Sequence, residues 1–380
     1  MPAETPVLCG IDVLQRDHFA PLRGRKIGLI TNHTGLNRDG IATADLLHNA
    51  KDIELRALFA PEHGIRGALD ENISDSTDLA TGLPIHSLYG VRTRPTPAQL
   101  KGLDTLVFDI QDIGTRFYTY ISTLGLCLEE AAKHGQEFIV LDRPNPLNGV
   151  EIEGSLPDKA SLGFTAYHPI PVRHGMTTGE LAHLFRAEKR LKVTMQVVMV
   201  EGWSRRQRWE ETGLLWTNPS PNMRSSTQAL LYPGVGLLEG TNLSVGRGTD
   251  TPFEIIGAPW IAPVSFAAYL NALGLPGVRF IPLRFTPTAS VYAHLPCGGV
   301  QLVLTERERF VPVFTGLSLA SALLHFHAKE WTVEKFNSLL FDKNSYKRFR
   351  DGATPLELIT RWQSDLATFR ERRRPYLLYA

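Results

Sequence analysis

The chain has 380 residues, which at roughly 100–200 residues per domain predicts two domains, or one large domain with an appendage. Hydrophobic residues at 43% and charged residues at 21% supply a sizeable core and argue against disorder. Lys and Arg number 40 against 39 Asp and Glu, a formal net charge of +1. With no basic excess to neutralise a phosphate backbone, nucleic-acid binding by bulk electrostatics is disfavoured.

The opening MPAETPVLCGIDVLQ has neither a basic start nor an apolar run after it, so no secretory signal is read there. No stretch approaches about 18 uninterrupted apolar residues, so no membrane span is expected. The three cysteines, Cys9, Cys127 and Cys297, are odd in number and far apart, without a CxxC pair. That pattern excludes a disulfide framework and points to neither zinc nor redox chemistry.

Short β-rich apolar runs recur in order: Lys26–Thr31, Glu54–Ala60, Thr105–Ile110, Phe138–Asp142 and Thr194–Val200. Several are almost continuously hydrophobic, as strands covered on both faces are. Helices are predicted over Ile41–Asn49, over Ile121–His134 with Gly135 ending it at positive φ, and over Glu180–Arg190 behind a Thr177–Glu180 capping box. Alternation of this kind predicts α/β architecture: a parallel, Rossmann-like sheet with right-handed crossovers. After the Pro-spaced Asn218–Asn222 turn and the glycine-rich Tyr232–Asp250 segment, the remaining elements are a helix near Val264–Leu273, strands near Val278–Phe285 and Gly299–Leu304, and helices near Ser318–His327 and Val333–Leu340. A boundary near residue 230 divides the chain into residues 1–230, carrying the sheet, and 231–380, a smaller α/β domain.

Open α/β sheets bind ligands beyond the carboxyl ends of their strands. Four such ends lead into polar clusters: Asn32-His33-Thr34-Gly35, Pro61-Glu62-His63-Gly64-Ile65-Arg66-Gly67, Gln111-Asp112-Ile113-Gly114-Thr115-Arg116, and Arg143-Pro144-Asn145-Pro146. One such loop is ordinary; four make a site. Each residue also has a structural reading. Asn32 and Thr34 can shape a turn, Asp109 and Asp142 can cap helices or pair with Arg143, and Arg116 can pair with Asp112 on a helical stretch. Glu62, held between Pro61 and Gly64, is the strongest candidate for direct catalytic work.

The segment Gly234–Thr249 contains neither GxGxxG nor GxxxxGK[ST] and lies outside the first strand–helix turn, so a phosphate loop is a weak reading. Its glycines permit close approach to a ligand or tight packing between domains, with Glu239, Asn242 and Arg247 reaching a cleft or Glu239 pairing with Arg247. His33, His63 and Asp112 lack metal-ligand spacing, and no metal or cofactor is expected. A Ser-His-Asp scheme lacks its GxSxG elbow, and Cys127 lies within a predicted helix.

TNHTG (31–35), PEHGIRG (61–67), FDIQDIGTRFYTY (108–120), LDRPNPLNG (141–149), HGMTTGE (174–180), NPSPN (218–222) and LLEGTNLSVGRGTDTPFE (237–254) occur together and in order. This ordered set resembles the NamZ-type exo-β-N-acetylmuramidases, a family long catalogued as a domain of unknown function. The resemblance implies a Rossmann-like domain, a smaller α/β domain and an active-site cleft between them. It further implies removal of terminal N-acetylmuramic acid from the non-reducing end of peptidoglycan fragments.

Glycoside hydrolysis needs one carboxylic acid to protonate the leaving oxygen and a second group to supply or activate a nucleophile. Glu62 is the candidate acid/base and His63 its orienting neighbour; Asp112 and Glu239 both suit the second role. The lactyl carboxylate of muramic acid calls for a cation, for which Arg66, Arg116 and Arg247 are candidates. Asn32, His33, Asn145, Asn222 and Asn242 are candidates for the acetamido group and hydroxyls, and Tyr89, Tyr118 and Tyr120 for stacking on the sugar. The expected partner is an oligosaccharide or muropeptide, with no nucleic acid and no membrane span, and the place of action the cytoplasm. The alternatives are a non-catalytic binder of cell-wall fragments and a phosphate- or nucleotide-handling enzyme using residues 234–249. Nothing in the sequence fixes an oligomeric state.

Overall fold

A computed structural model of the chain describes residues 6–62, 64–65 and 75–380. Seven strands form one sheet: β1 (Lys26–Thr31), β2 (Glu54–Ala60), β3 (Ser76–Thr77), β4 (Pro84–Ser87), β5 (Thr105–Asp109), β6 (Glu137–Leu141) and β7 (Met195–Val198), in the order β3-β4-β2-β1-β5-β6-β7. All neighbours pair in parallel except β3 with β4. The apolar runs explain the burial: side chains alternate between two cores along each strand. Ile27, Leu29, Leu58, Val107, Ile139 and Leu141 enter one core, while Ile30, Phe59, Phe108, Phe138 and Val140 enter the other.

Helices cover both faces. In chain order they are α1 (Gly10–Arg16), α2 (Thr43–Asn49), the short α3 (Pro97–Leu100), α4 (Tyr120–His134), α5 (Thr178–Glu188), α6 (Ser226–Val235), α7 (Pro263–Ala272), α8 (Pro312–His327), the short α9 (Asn337–Leu340), α10 (Lys343–Arg350) and α11 (Pro355–Arg373). Gly135 ends α4 at φ 78, and the Thr177–Glu180 capping box opens α5. The two strand-end aspartates take structural roles. Asp109 is held by Arg143 through Nε–Oδ1 at 2.6 Å and Nη2–Oδ2 at 3.0 Å, and Asp142 accepts from Gly179 N and from the Thr177, Thr178 and Tyr379 hydroxyls.

From β1 the chain runs outward through β2 to β4, then returns to the other side of β1 as β5. The strand order therefore reverses between β1 and β5, and the loops after them flank the crevice in which doubly wound sheets hold ligands.

The second half carries a three-stranded antiparallel sheet, β8 (Ile255–Ala258), β9 (Val278–Phe285) and β10 (Cys297–Leu304), in the order β8-β10-β9. Residue 230, where the sequence suggests a boundary, lies inside α6. One hydrophobic cluster joins Phe117 and Tyr120 to Leu230, Val235 and Leu317 across that position. Glycines let α6 and α8 touch: a Cβ on Gly234 would stand 2.0 Å from Pro312 O, and one on Gly316 2.4 Å from Gly234 O. Gly234 thus belongs to a helix contact and not to a loop around a phosphate. Among the described residues no helix is long and apolar enough to cross a membrane.

Candidate active site

The loop after β1 is built by Asn32, whose Oδ1 accepts from Thr34 N at 2.9 Å and Thr34 Oγ1 at 2.6 Å. Thr34 Oγ1 in turn accepts from Gln111 N at 3.0 Å, tying this loop to the one after β5. Gln111 Nε2 donates to the Asp112 and Pro144 carbonyls, adding the loop after β6. Three loops at the strand reversal are thereby locked together. Asn32 Nδ2, Gln111 Oε1 and Asp112 Oδ1 are buried there with no hydrogen bond of acceptable geometry. Such groups are uncommon in folded proteins and concentrate where a ligand or a reaction needs them.

Residues 217–222 pass over these loops. His33 Nε2 donates to the Asn218 carbonyl at 2.5 Å, and the Tyr120 hydroxyl donates to the Pro219 carbonyl at 2.5 Å. Asn222 is buried at the end of the same segment. Asp112 Oδ2 accepts from Gly114 N at 2.7 Å. His174 Nδ1 accepts from Met176 N, so its Nε2 carries the proton, and that nitrogen lies 3.3 Å from Asp112 Oδ2 without the alignment of a hydrogen bond. His174 belongs to the HGMTTGE motif, yet only the tertiary contact marks it as a partner of Asp112.

Glu62, at the end of β2, is half-buried, and its Oε2 accepts from Thr119 Oγ1 at 3.2 Å. It faces an aromatic cluster in which Tyr118 lies edge-on to Tyr120 at 4.9 Å and to Tyr232 at 6.0 Å. Burial pushes the Tyr232 phenol well above its ordinary range, with Glu239 and then Glu62 adding to the rise. Burial likewise raises Tyr120, helped by Tyr118 and Glu62. The Tyr232 hydroxyl donates to Glu239 Oε2 at 3.3 Å, and Arg247 Nε donates to Glu239 Oε1 at 2.5 Å. Glu239 from the second half therefore holds this buried phenol directly, by its hydrogen bond. Tyr118 and Tyr120 are packed in the core and are not open platforms for a sugar.

Three sequence candidates stand elsewhere. Arg116 is fully buried, with Nη1 on the Ser155 and Ile170 carbonyls and Nη2 on the Leu339 and Leu340 carbonyls. Burial pushes its guanidinium down to about 9. It does not pair with Asp112, because residues 111–119 form an irregular loop and not a helix; it clamps the segment before α10. Asn145 donates to Met176 O and accepts from Leu147 N, a closed turn. Asn242 exchanges hydrogen bonds with Glu330 O and Thr332. The terminal nitrogens of all three are taken by backbone carbonyls, whereas Arg116 Nε is buried without a partner. His63 and Arg66 lie outside the described residues. Tyr232, Thr119 and His174 contact the candidate carboxylates, and the sequence did not single them out. Tyr232 reads as ordinary core, and Thr119 is inconspicuous within the FYTY run.

The family described as exo-beta-N-acetylmuramidase NamZ matches the chain in two parts, its N-terminal portion over residues 27–227 and its C-terminal portion over residues 230–379. Peptidoglycan beta-N-acetylmuramidase NamZ of Bacillus subtilis (strain 168) is 42% identical, over 98% of this chain and 91% of its own length. Two crystal structures of DUF1343 family proteins from Bacteroides fragilis NCTC 9343 share the fold. One has a TM-score of 0.91 and 36% identity over 98% of this chain and 99% of the other. The second has a TM-score of 0.82 and 28% identity, with 99% of each chain covered.

Proposed function

The chain belongs to the NamZ family of exo-β-N-acetylmuramidases, and from that premise we propose that it removes terminal N-acetylmuramic acid from the non-reducing end of peptidoglycan fragments. What supports this reading at the site is a half-buried Glu62 held by the Thr119 hydroxyl after β2, together with Glu239 held by the Tyr232 hydroxyl and Arg247. Glu62, steadied by Thr119, delivers a proton to the glycosidic oxygen as the bond to C1 breaks. Glu239 supplies the second carboxylate, which attacks C1 or takes a proton from the attacking water. Asp112, buried and turned toward His174 and Gly114 N, is less suited to that role and serves to hold the loop after β5.

Arg247, partly exposed beside Glu239, is the cation we assign to the lactyl carboxylate, and Asn32 is the amide we assign to the acetamido group. The cleft between the two halves is the substrate site in this reading, and recycled muropeptides in the cytoplasm are the substrate pool. The direct test is turnover of a chromogenic β-N-acetylmuraminide by the purified protein and its Glu62→Gln variant. The reading expects turnover by the first, with about a 100- to 10,000-fold loss in the second. A wild-type protein inert on this substrate would sink it.

A further inference from the structure

The segment that passes over the strand-end loops is fixed through its backbone and leaves one polar side chain for a ligand. Its sequence, Asn218-Pro219-Ser220-Pro221-Asn222, holds two prolines, which set φ at about −65° and supply no N–H. Carbonyls are therefore its handles, and each from 218 to 221 is taken. His33 Nε2 donates to Asn218 O and the Tyr120 hydroxyl to Pro219 O, both at 2.5 Å. Met223 N donates to Ser220 O, and Arg224 Nε to Pro221 O, both at 3.0 Å.

Asn222 differs from the rest of the segment. It is only 8% exposed, and among the described residues its side-chain amide has no hydrogen-bond partner, yet neither polar atom of that amide is sealed from solvent. A residue this buried with an open, unpaired amide presents a fixed donor and acceptor to whatever enters. Its place in the chain lies between the two sides of the candidate site. On one side Tyr120 holds the segment, and Glu62 is near enough to add to the rise that burial and Tyr118 give the Tyr120 phenol. On the other, Arg224 Nη1 donates to Asp250 O at 3.3 Å, in the turn that follows Arg247.

We propose that Asn222 contacts the terminal sugar, its amide binding a free hydroxyl, and that Tyr120 and His33 are positioning residues that hold the segment carrying it. A hydroxyl donates and accepts, as the amide does. The choice of sugar rests on the muramidase reading above. Tyr120 and His33 touch no substrate in this arrangement; each acts through the place it gives Asn222.

The test is kinetics on the chromogenic β-N-acetylmuraminide, with calorimetric titration of free N-acetylmuramic acid on the same samples. Asn222→Ala removes an amide that has no partner in the protein, so the melting temperature should hold. KM should rise about fivefold at unchanged kcat, the loss of one hydrogen bond made equally in ground and transition states. Tyr120→Phe should raise KM about threefold in the wild-type background and hardly at all in Asn222→Ala, since the two act as a unit. His33→Gln, which keeps a donor for the Asn218 carbonyl, should disturb KM less than His33→Leu, and this pair tests the same role should Tyr120→Phe not fold. Unchanged KM in Asn222→Ala overturns the contact. A silent Tyr120→Phe, or an effect that persists in Asn222→Ala or falls on kcat, overturns the positioning role, as does equal KM in the two His33 variants. Turnover with any of these results removes this inference alone. A wild type without turnover removes the activity, and the titration then decides: binding of N-acetylmuramic acid weakened about fivefold by Asn222→Ala keeps the contact, whereas equal or absent binding removes it.

Discussion

Replacing Thr119 by Val removes one hydroxyl and almost no volume, and the structure sets the size of the effect. Thr119 precedes α4 but its side chain makes no capping bond, so the helix start does not depend on the hydroxyl. Its contact of interest is the 3.2 Å donation to Glu62 Oε2. Hydrogen bonds to charged groups contribute about 1.5–3 kcal/mol. This one is long for an O–H···O pair and Glu62 is partly open to water, so about 1 kcal/mol is expected, or about fivefold in kcat/KM. The decisive measurement is a double-mutant cycle on the chromogenic β-N-acetylmuraminide. Thr119→Val should cost about fivefold in the wild-type background and nearly nothing once Glu62 is Gln, because groups acting as a unit are not additive. A fivefold loss that persists in the Glu62→Gln background would show that the hydroxyl acts through something other than this carboxylate. An inert Thr119→Val would refute the claim that Glu62 needs positioning.

Gly234→Ala should destabilise by about 1–3 kcal/mol or more in a thermal melt, since the new methyl meets the Pro312 carbonyl at 2.0 Å and backbone cannot swing aside; a melt like that of the wild type would contradict the α6–α8 contact. Arg247→Gln should reduce discrimination between muramic and N-acetylglucosamine glycosides by about tenfold if its guanidinium holds the lactyl group. Equal losses on both substrates would confine Arg247 to supporting Glu239. His168 is buried beside Glu188, and burial lowers its pKa below the ordinary value while Glu188 opposes the shift. The unfolded chain therefore takes up the proton first, and this stability is present above about pH 6.5 and lost as pH falls from there through the folded value. Melting temperatures between pH 7.5 and pH 5 should accordingly fall less in His168→Gln than in the wild type, and parallel curves would remove His168 from the acid response.

The sequence by itself determined the parallel sheet and the edge of it at which the polar clusters gather. Runs such as Lys26–Thr31 and Thr105–Asp109 are apolar on both alternating sets, as a strand covered on both faces is. The polar groups following β1, β2 and β5 could then lie only at the carboxyl ends. Local signals were equally legible at Gly135 and at the Thr177–Glu180 box, because caps and left-handed turns are decided within a few residues.

Tertiary structure decided which of the polar residues remain available to a ligand. Arg116, Asn145 and Asn242 look like site residues in sequence, but distant carbonyls from Leu339, Met176 and Glu330 occupy their terminal nitrogens. Tyr232 looks like core, yet its hydroxyl holds Glu239. The glycine-rich segment looks like a loop but begins inside α6, where absent side chains let two helices touch. The physical reason is range. Strand and cap preferences follow from neighbours along the chain, whereas the availability of a guanidinium or a carboxylate depends on groups brought to it from far away in sequence.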